Sequence, residues 1–171
     1  MEIILETQRL ILRKFELSDA QFFYDLNSDP LVIKYTGDEA YKTIEESEER
    51  IQYVQNQYKE NGYGRFTVIE KDTMNPLGWC GLKYHPEENE TDLGYRFMQK
   101  YWDKGYATES SKACMDYGFN TLKLDRIIGN AMNDNISSIN VLKKMGMTYL
   151  RETNLHNLPS STFQILKQDY K

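Results

Sequence analysis

The chain has 171 residues, 40% hydrophobic and 27% charged, with a formal charge of −5. That is enough apolar material to bury an ordinary core, and it excludes global disorder; the acidic balance excludes the basic face of a dedicated nucleic-acid binder. Two cysteines (Cys80, Cys114) and two histidines (His85, His156) give neither a disulfide scaffold nor a metal-ligand spacing, so no metal is expected.

The first residues contain no basic region followed by a long apolar run. Nor does any stretch approach the ~20 apolar residues of a membrane span. These features, with free thiols, lead to the expectation of a cytoplasmic protein with no membrane partner. Thr7 to Arg13 alternates around Leu10 and Leu12 and predicts a first strand. Ser18 to Asn27 predicts a short helix, with Ser18 and Gln21 at capping-box spacing and Asp29-Pro30 closing it. A second helix is expected from Thr43, with Glu46 three residues on and Ile44, Ile51, Val54 and Tyr58 at helical spacing until Asn61-Gly62.

From Gly64 the period changes. Phe66 and Val68 alternate, a turn falls across Lys71 to Pro76, and Leu77 to Tyr84 predicts another strand. An acidic loop, His85 to Glu90, leads into a strand over Thr91 to Met98. The glycine-bearing turn from Trp102 to Ala107 opens a helix reaching about Asn120, and Arg126 to Ala131 is strand-like. Asn133-Asp134-Asn135 predicts the cap of a helix ending at Gly146, where a left-handed residue is expected. Tyr149 to Thr153 and Thr162 to Lys167 are expected as closing strands. With no repeat or linker, the pattern predicts one α+β domain over residues 1–171, built on a single mixed central sheet flanked by helices. A parallel crossover runs from Thr91 to Ala131.

The segment DLGYRFMQKYWDKGYATES, residues 92 to 110, carries the chemistry. A strand runs into a turn containing Gly105, and a helix begins within two residues. Such a turn presents backbone N–H groups at the positive end of a helix dipole, a phosphate site, to which Lys104 adds a full charge. The same pattern also describes an ordinary strand–helix connection. It is neither a P-loop nor the dinucleotide fingerprint, because the further glycines and the Gly-Lys-Ser/Thr ending are absent.

The order of the surrounding blocks resembles the GNAT superfamily of acyl-CoA-dependent N-acetyltransferases, closest to the branch that acetylates ribosomal-protein N-termini. Thr7-x-Arg9-Leu10-x-Leu12-Arg13 begins the likeness. Trp102-Asp103-Lys104-Gly105-Tyr106-Ala107 stands where the family has [QR]-x-x-G-x-[GA], with Trp102 departing at the first position. Asn135-x-x-Ser138, then Leu142, Lys144 and Gly146-Met147, matches its second block, and Phe163 to Leu166 ends it. The resemblance implies parallel strands near Thr91–Met98 and Arg126–Ala131 that splay apart. Pantetheine of acetyl-CoA, the co-substrate, would lie in the gap and bond backbone around Phe97 and Met98. Pyrophosphate would sit on amides from Trp102, Asp103, Lys104, Gly105, Tyr106, Ala107 and Thr108.

Asn135 and Ser138 map to positions near pantetheine and the thioester; helix capping is the structural alternative for both. Where many members carry a tyrosine acid this chain has Leu142, which leaves Ser138, Tyr149 or a water to protonate the thiolate. An amine must lose a proton before it attacks a thioester. Asp92 is the first candidate base, against the alternative of a surface aspartate paired with Arg96; Glu90, His85 and Glu70 rank behind it. Cys80 with His85 as a nucleophilic pair is disfavoured, because Cys80 reads as a small buried strand residue. Tyr35, Tyr41, Tyr53, Tyr58 and Tyr63 lie in or beside the first two helices, the region that relatives use to cover the acceptor. The resemblance thus implies transfer of acetyl to a primary amine, a small molecule or a protein N-terminus, by a monomer or homodimer. An inactive acyl-CoA-binding regulatory protein is the alternative.

Overall fold

The computed structural model describes all 171 residues. Eight strands form one mixed sheet: β1 (Ile3–Glu6), β2 (Leu10–Arg13), β3 (Arg65–Glu70), β4 (Pro76–His85), β5 (Glu90–Phe97), β6 (Arg126–Met132), β7 (Thr148–Leu155) and β8 (Leu158–Leu166). Their order is β1-β2-β3-β4-β5-β6-β8-β7, antiparallel throughout except for β5 and β6. The helices are α1 (Ala20–Ser28), α2 (Pro30–Ile33), α3 (Ile44–Asn61), α4 (Tyr106–Asp116) and α5 (Ile136–Lys144). This is the α+β architecture with a parallel crossover that the pattern predicts. No helix is long and apolar enough to cross a membrane.

Local chemistry accounts for the helix ends. Thr43 and Glu46 form a reciprocal capping box on α3, and Gly62 closes it in the left-handed region at φ 79°. Gly146, after α5, takes φ 83°. The expected first strand, Thr7 to Arg13, is confined to Leu10–Arg13, because Thr7 sits in a tight turn and its Oγ1 accepts from Leu10 N–H; the strand before that turn, Ile3–Glu6, was not expected. At α1 the cap also moves. Glu16 and Asp19, not Ser18 and Gln21, form the box over a short 3-10 turn, since Asp19 is anchored by buried Arg13 at 2.5 and 2.7 Å.

Two apolar clusters sandwich the sheet. Leu82, Leu93, Phe97, Cys114, Met115, Phe119 and Leu142 belong to the one beneath α4 and α5. Phe15, Phe23, Leu26, Val32, Ile51 and Val54 form the other, beneath α1 to α3. Each fully buried leucine, valine or phenylalanine contributes about 1.5–3 kcal/mol. The clusters fix the two helical layers on opposite faces, so a break in the sheet joins one layer to the other.

Candidate active site

That break lies between β5 and β6. Strand β5 is matched to β4 along its whole length, from Glu90 to Phe97. Against β6 it pairs at one register point, Asp92 with Ile128. Beyond that point the strands diverge. Met98 N–H donates to Leu77 O at 3.0 Å. By the alternation of an antiparallel ladder, the peptide groups of Tyr95 and Phe97 therefore turn toward β6 and the gap. A cavity of about 1130 Å³ runs through this opening, lined by Tyr95, Phe97, Asn130 and Ala131 between the layers and by α3 residues on the far side.

At one end of the cavity stands the N-terminus of α4. Asp103 and Gly105 both take left-handed conformations, φ 58° and 81°, which turn successive amides outward. Gly105 is the N-cap and supplies no side chain, so Tyr106, Ala107 and Thr108 present N–H groups with no intrahelical partner at the positive pole of the helix. Tyr101, Trp102, Asp103, Gly105, Tyr106, Ala107 and Thr108 all line the cavity. Two of the residues expected to offer backbone to a cofactor are engaged elsewhere. Trp102 N–H donates to Gln99 O at 3.1 Å, and Met98 N–H is held by β4. The carbonyl of Phe97 accepts from the Trp102 indole at 2.9 Å, which leaves its N–H as the group facing the gap.

A clamp holds this turn that local pattern does not show. Thr7 Oγ1 and Arg9 N–H both donate to Glu109 Oε1, at 2.6 and 3.0 Å, and Arg9 Nε donates to Oε2 at 2.7 Å. The same guanidinium donates to Lys104 O at 3.0 Å and lies 4.5 Å from the centre of the Tyr106 ring. The Thr-x-Arg spacing was the available signal. It brings the edge of the sheet onto the first turn of α4.

Asn135 caps α5, its Oδ1 accepting from Ser138 N–H at 3.2 Å, and both residues line the cavity. Ser138 Oγ accepts from the Tyr95 hydroxyl at 3.2 Å. Burial pushes that hydroxyl up to about 12, so it stays protonated at neutral pH. Tyr95 thus joins the site, although no motif assigned it a role. Leu142 is 2% exposed and packs on β6, where a side chain at Gly129 would come 2.5 Å from Leu142 Cδ2. Tyr149, considered as an acid, is 56% exposed on the edge strand and outside the cavity.

Asp92 is not partnered by Arg96. Arg65 Nη2 donates to both its oxygens at 2.9 and 3.0 Å, and His85 Nε2 lies 3.1 Å from Oδ1. Burial alone would raise its pKa; the Arg65 charge and the His85 contact outweigh that and hold the carboxyl below its ordinary range. Arg96 instead bonds Asn27 and Asp38. Glu90 is locked by Arg126 and Arg151, at 3.0 and 2.7 Å, and Glu70 by Tyr106 and Thr73, outside the cavity. Cys80 is buried beside Cys114 on the α4 face of β4, whereas alternation sends His85 to the opposite face. Tyr35, Tyr41 and Tyr53 line the cavity; Tyr58 braces Phe15 and Arg65, and Tyr63 meets Thr91.

The Acetyltransferase (GNAT) domain model matches residues 9–148. The chain is 31% identical to the uncharacterized N-acetyltransferase p20 of Bacillus licheniformis, over 97% of each chain. A GNAT-family acetyltransferase crystal structure from Bacillus anthracis superposes with a TM-score of 0.82 at 29% identity, covering 98% of this chain and 99% of that one. Spermidine N-acetyltransferase from Vibrio cholerae, solved with CoA and spermine, shares the fold at a TM-score of 0.80 and 21% identity, over 96% and 99%. With the family model spanning most of its length, this chain belongs to the GNAT family of acetyltransferases.

Proposed function

We propose that the protein transfers acetyl from acetyl-CoA directly to a primary amine, with pantetheine in the seam between β5 and β6 and pyrophosphate on the α4 turn. One observation carries this reading. The seam supplies unbonded strand edge, and it ends at unpartnered helix amides that carry partial positive charge. A flexible chain with a diphosphate at one end matches both features.

Proton traffic divides between the two faces of the sheet. On the α1–α3 face, Asp92 is held as an anion, so it serves better as an orienter than as a proton acceptor. We assign it to His85: Asp92 binds Nε2 and leaves Nδ1 to take the ammonium proton, directly or through water. Imidazole is the side chain whose ordinary pKa lies nearest neutrality. On the α4–α5 face, Tyr95 and Ser138 form the donor pair for the departing thiolate, in place of the position filled by Leu142. Asn135 fixes the turn that presents Ser138. Protein N-termini, including those acetylated by the ribosomal-protein branch, and small amines such as the spermidine of the Vibrio cholerae enzyme are the acceptor classes to compare. Calorimetry with acetyl-CoA, followed by thiol release on an amine panel, tests the proposal. Binding without turnover on any amine would assign the chain to acyl-CoA sensing instead.

A further inference from the structure

The acceptor half of the cavity holds positive charge that the chain does not neutralise. Arg50 of α3 and Lys83 of β4 both line it. They share one aromatic ring: the Arg50 Cζ lies 5.0 Å and the Lys83 Nζ 5.6 Å from the centre of Tyr53. The carboxylates nearby are all engaged. Glu46, four residues before Arg50 on α3, accepts from the backbone N–H groups of Lys42 and Thr43. Asp92 stands opposite Lys83 in the β4–β5 register, yet Arg65 and His85 hold it. Asp38 pairs with Arg96, and Glu39 with Lys42. The carboxylates that line this side of the cavity, Asp38, Glu39 and Asp92, therefore each have a cation, whereas Arg50 and Lys83 have no carboxylate. Their sign is opposite to the chain's net −5, so composition does not explain it.

A second feature faces the same space. Gln57 is 7% exposed, lines the cavity, and its Oε1 is buried without a hydrogen-bond partner. Arg50, Tyr53 and Gln57 fall at i, i+3 and i+7 on one face of α3. The helix rises about 10 Å over those seven residues. Cations thus stand toward the mouth, where Tyr53 is 45% exposed, and a lone acceptor oxygen stands deeper in.

Resting on the acetyltransferase reading, we infer that the acceptor is a primary amine carrying an anionic group at dipeptide-like distance. Arg50 and Lys83 receive the anion and Gln57 receives an N–H of the amine. An unpaired buried acceptor is costly until a donor arrives. A polyamine would bring a second ammonium against two uncompensated cations, a like-charge contact that selects against it. Carboxylate and phosphate share the required chemistry.

The experiment uses matched acceptors with the full-length enzyme: alanyl-alanine against its C-terminal amide, glucosamine 6-phosphate against glucosamine, and spermidine. Thiol release gives kcat/KM for each. The anionic member of at least one pair should exceed its neutral partner tenfold or more, the responding pair distinguishing carboxylate from phosphate, and spermidine should rank below both. In R50Q/K83Q that ratio should fall to about one through KM of the anionic member, with acetyl-CoA affinity unchanged by calorimetry. Preference for spermidine or the neutral partners, or an unchanged ratio in the double variant, overturns the anionic-acceptor assignment and leaves the acetyltransferase reading standing. No turnover of any member by enzyme that binds acetyl-CoA overturns both.

Discussion

Arg9 and Glu109, a hundred residues apart in sequence, meet at 2.7 Å across the first turn of α4. Arg9 also holds the carbonyl of Lys104, so the pair orients the peptide groups on which a diphosphate would rest. Arg9→Ala should raise KM for acetyl-CoA ~10-fold or more while kcat holds, because a charge-assisted contact of about 1.5–3 kcal/mol is lost from binding and not from chemistry. Arg9→Lys should recover little, since an ammonium cannot reproduce the fork. An equal fall in kcat and kcat/KM would place Arg9 in the chemical step.

Acetyl-CoA should raise the melting temperature, because it binds only the folded chain. Gly105→Glu should abolish that shift. A carboxylate at this N-cap would occupy the α4 amides itself, at a backbone position with φ 81° that already disfavours a side chain. Retention of the full shift by a folded variant would remove the phosphate role from this turn.

His85→Gln should lower kcat ~10²-fold, the usual contribution of a positioned base. Asp92→Asn should lower kcat as well, and it should also weaken the fold by stranding Arg65. Asp92 has a folded pKa below its unfolded value of about 3.9. Its stabilisation is therefore complete above that value and fades as pH falls through the lower, folded one. Acid titration of the parent should show this loss and the asparagine variant should not. A His85→Gln rate within a few-fold of the parent would transfer the proton to a water held by backbone.

Tyr95→Phe and Ser138→Ala should each slow turnover about tenfold or more, the lower range of acid–base effects, without changing acetyl-CoA affinity. Restoring a tyrosine by Leu142→Tyr should not compensate. Its ring would overpack against Gly129 and cost about 1–3 kcal/mol, seen as a lower melting temperature.

The Arg13–Asp19 pair predicts stability alone. Both side chains are nearly buried, at 8% and 6% exposure, and Thr67 Oγ1 also donates to Asp19. Asp19→Asn should destabilise by about 3–5 kcal/mol, because it leaves a buried guanidinium uncompensated. Activity at low temperature should survive. Urea unfolding measures the difference.

What the sequence made legible follows the range of the interactions. Thr43, Glu46 and Gly62 bound α3 through contacts within four residues, and those were readable. The blocks around Gly105 and Asn135 were readable as turns at helix starts for the same reason. Asp92 was visible as a carboxylate in the right place, but its partner was not. Arg65 lies 27 residues away, and its guanidinium reaches Asp92 across the strand because Gly94 has no side chain to block it. Alternation along one strand offered Arg96 instead, which the packing of α1 takes for Asn27. Thr7 looked like part of a strand because a tight turn between two strands preserves the period of either side.

A sheet joined at a single register point is, mechanically, two leaves on one hinge line. The five strands ahead of the seam and the three behind it share one bridging pair and the helices that cross between them. A ligand lying in the seam, as proposed for pantetheine, would supply the hydrogen bonds of an absent strand and stitch the leaves together. Amide exchange at Tyr95 and Phe97, whose N–H groups face the gap and not β4, should therefore slow when the cofactor binds. Opening of the β6–β8 leaf should become coupled to cofactor release. Catalytic competence and cooperative folding would then depend on the same occupied seam, with the cofactor seated before the acceptor surface reaches its final shape.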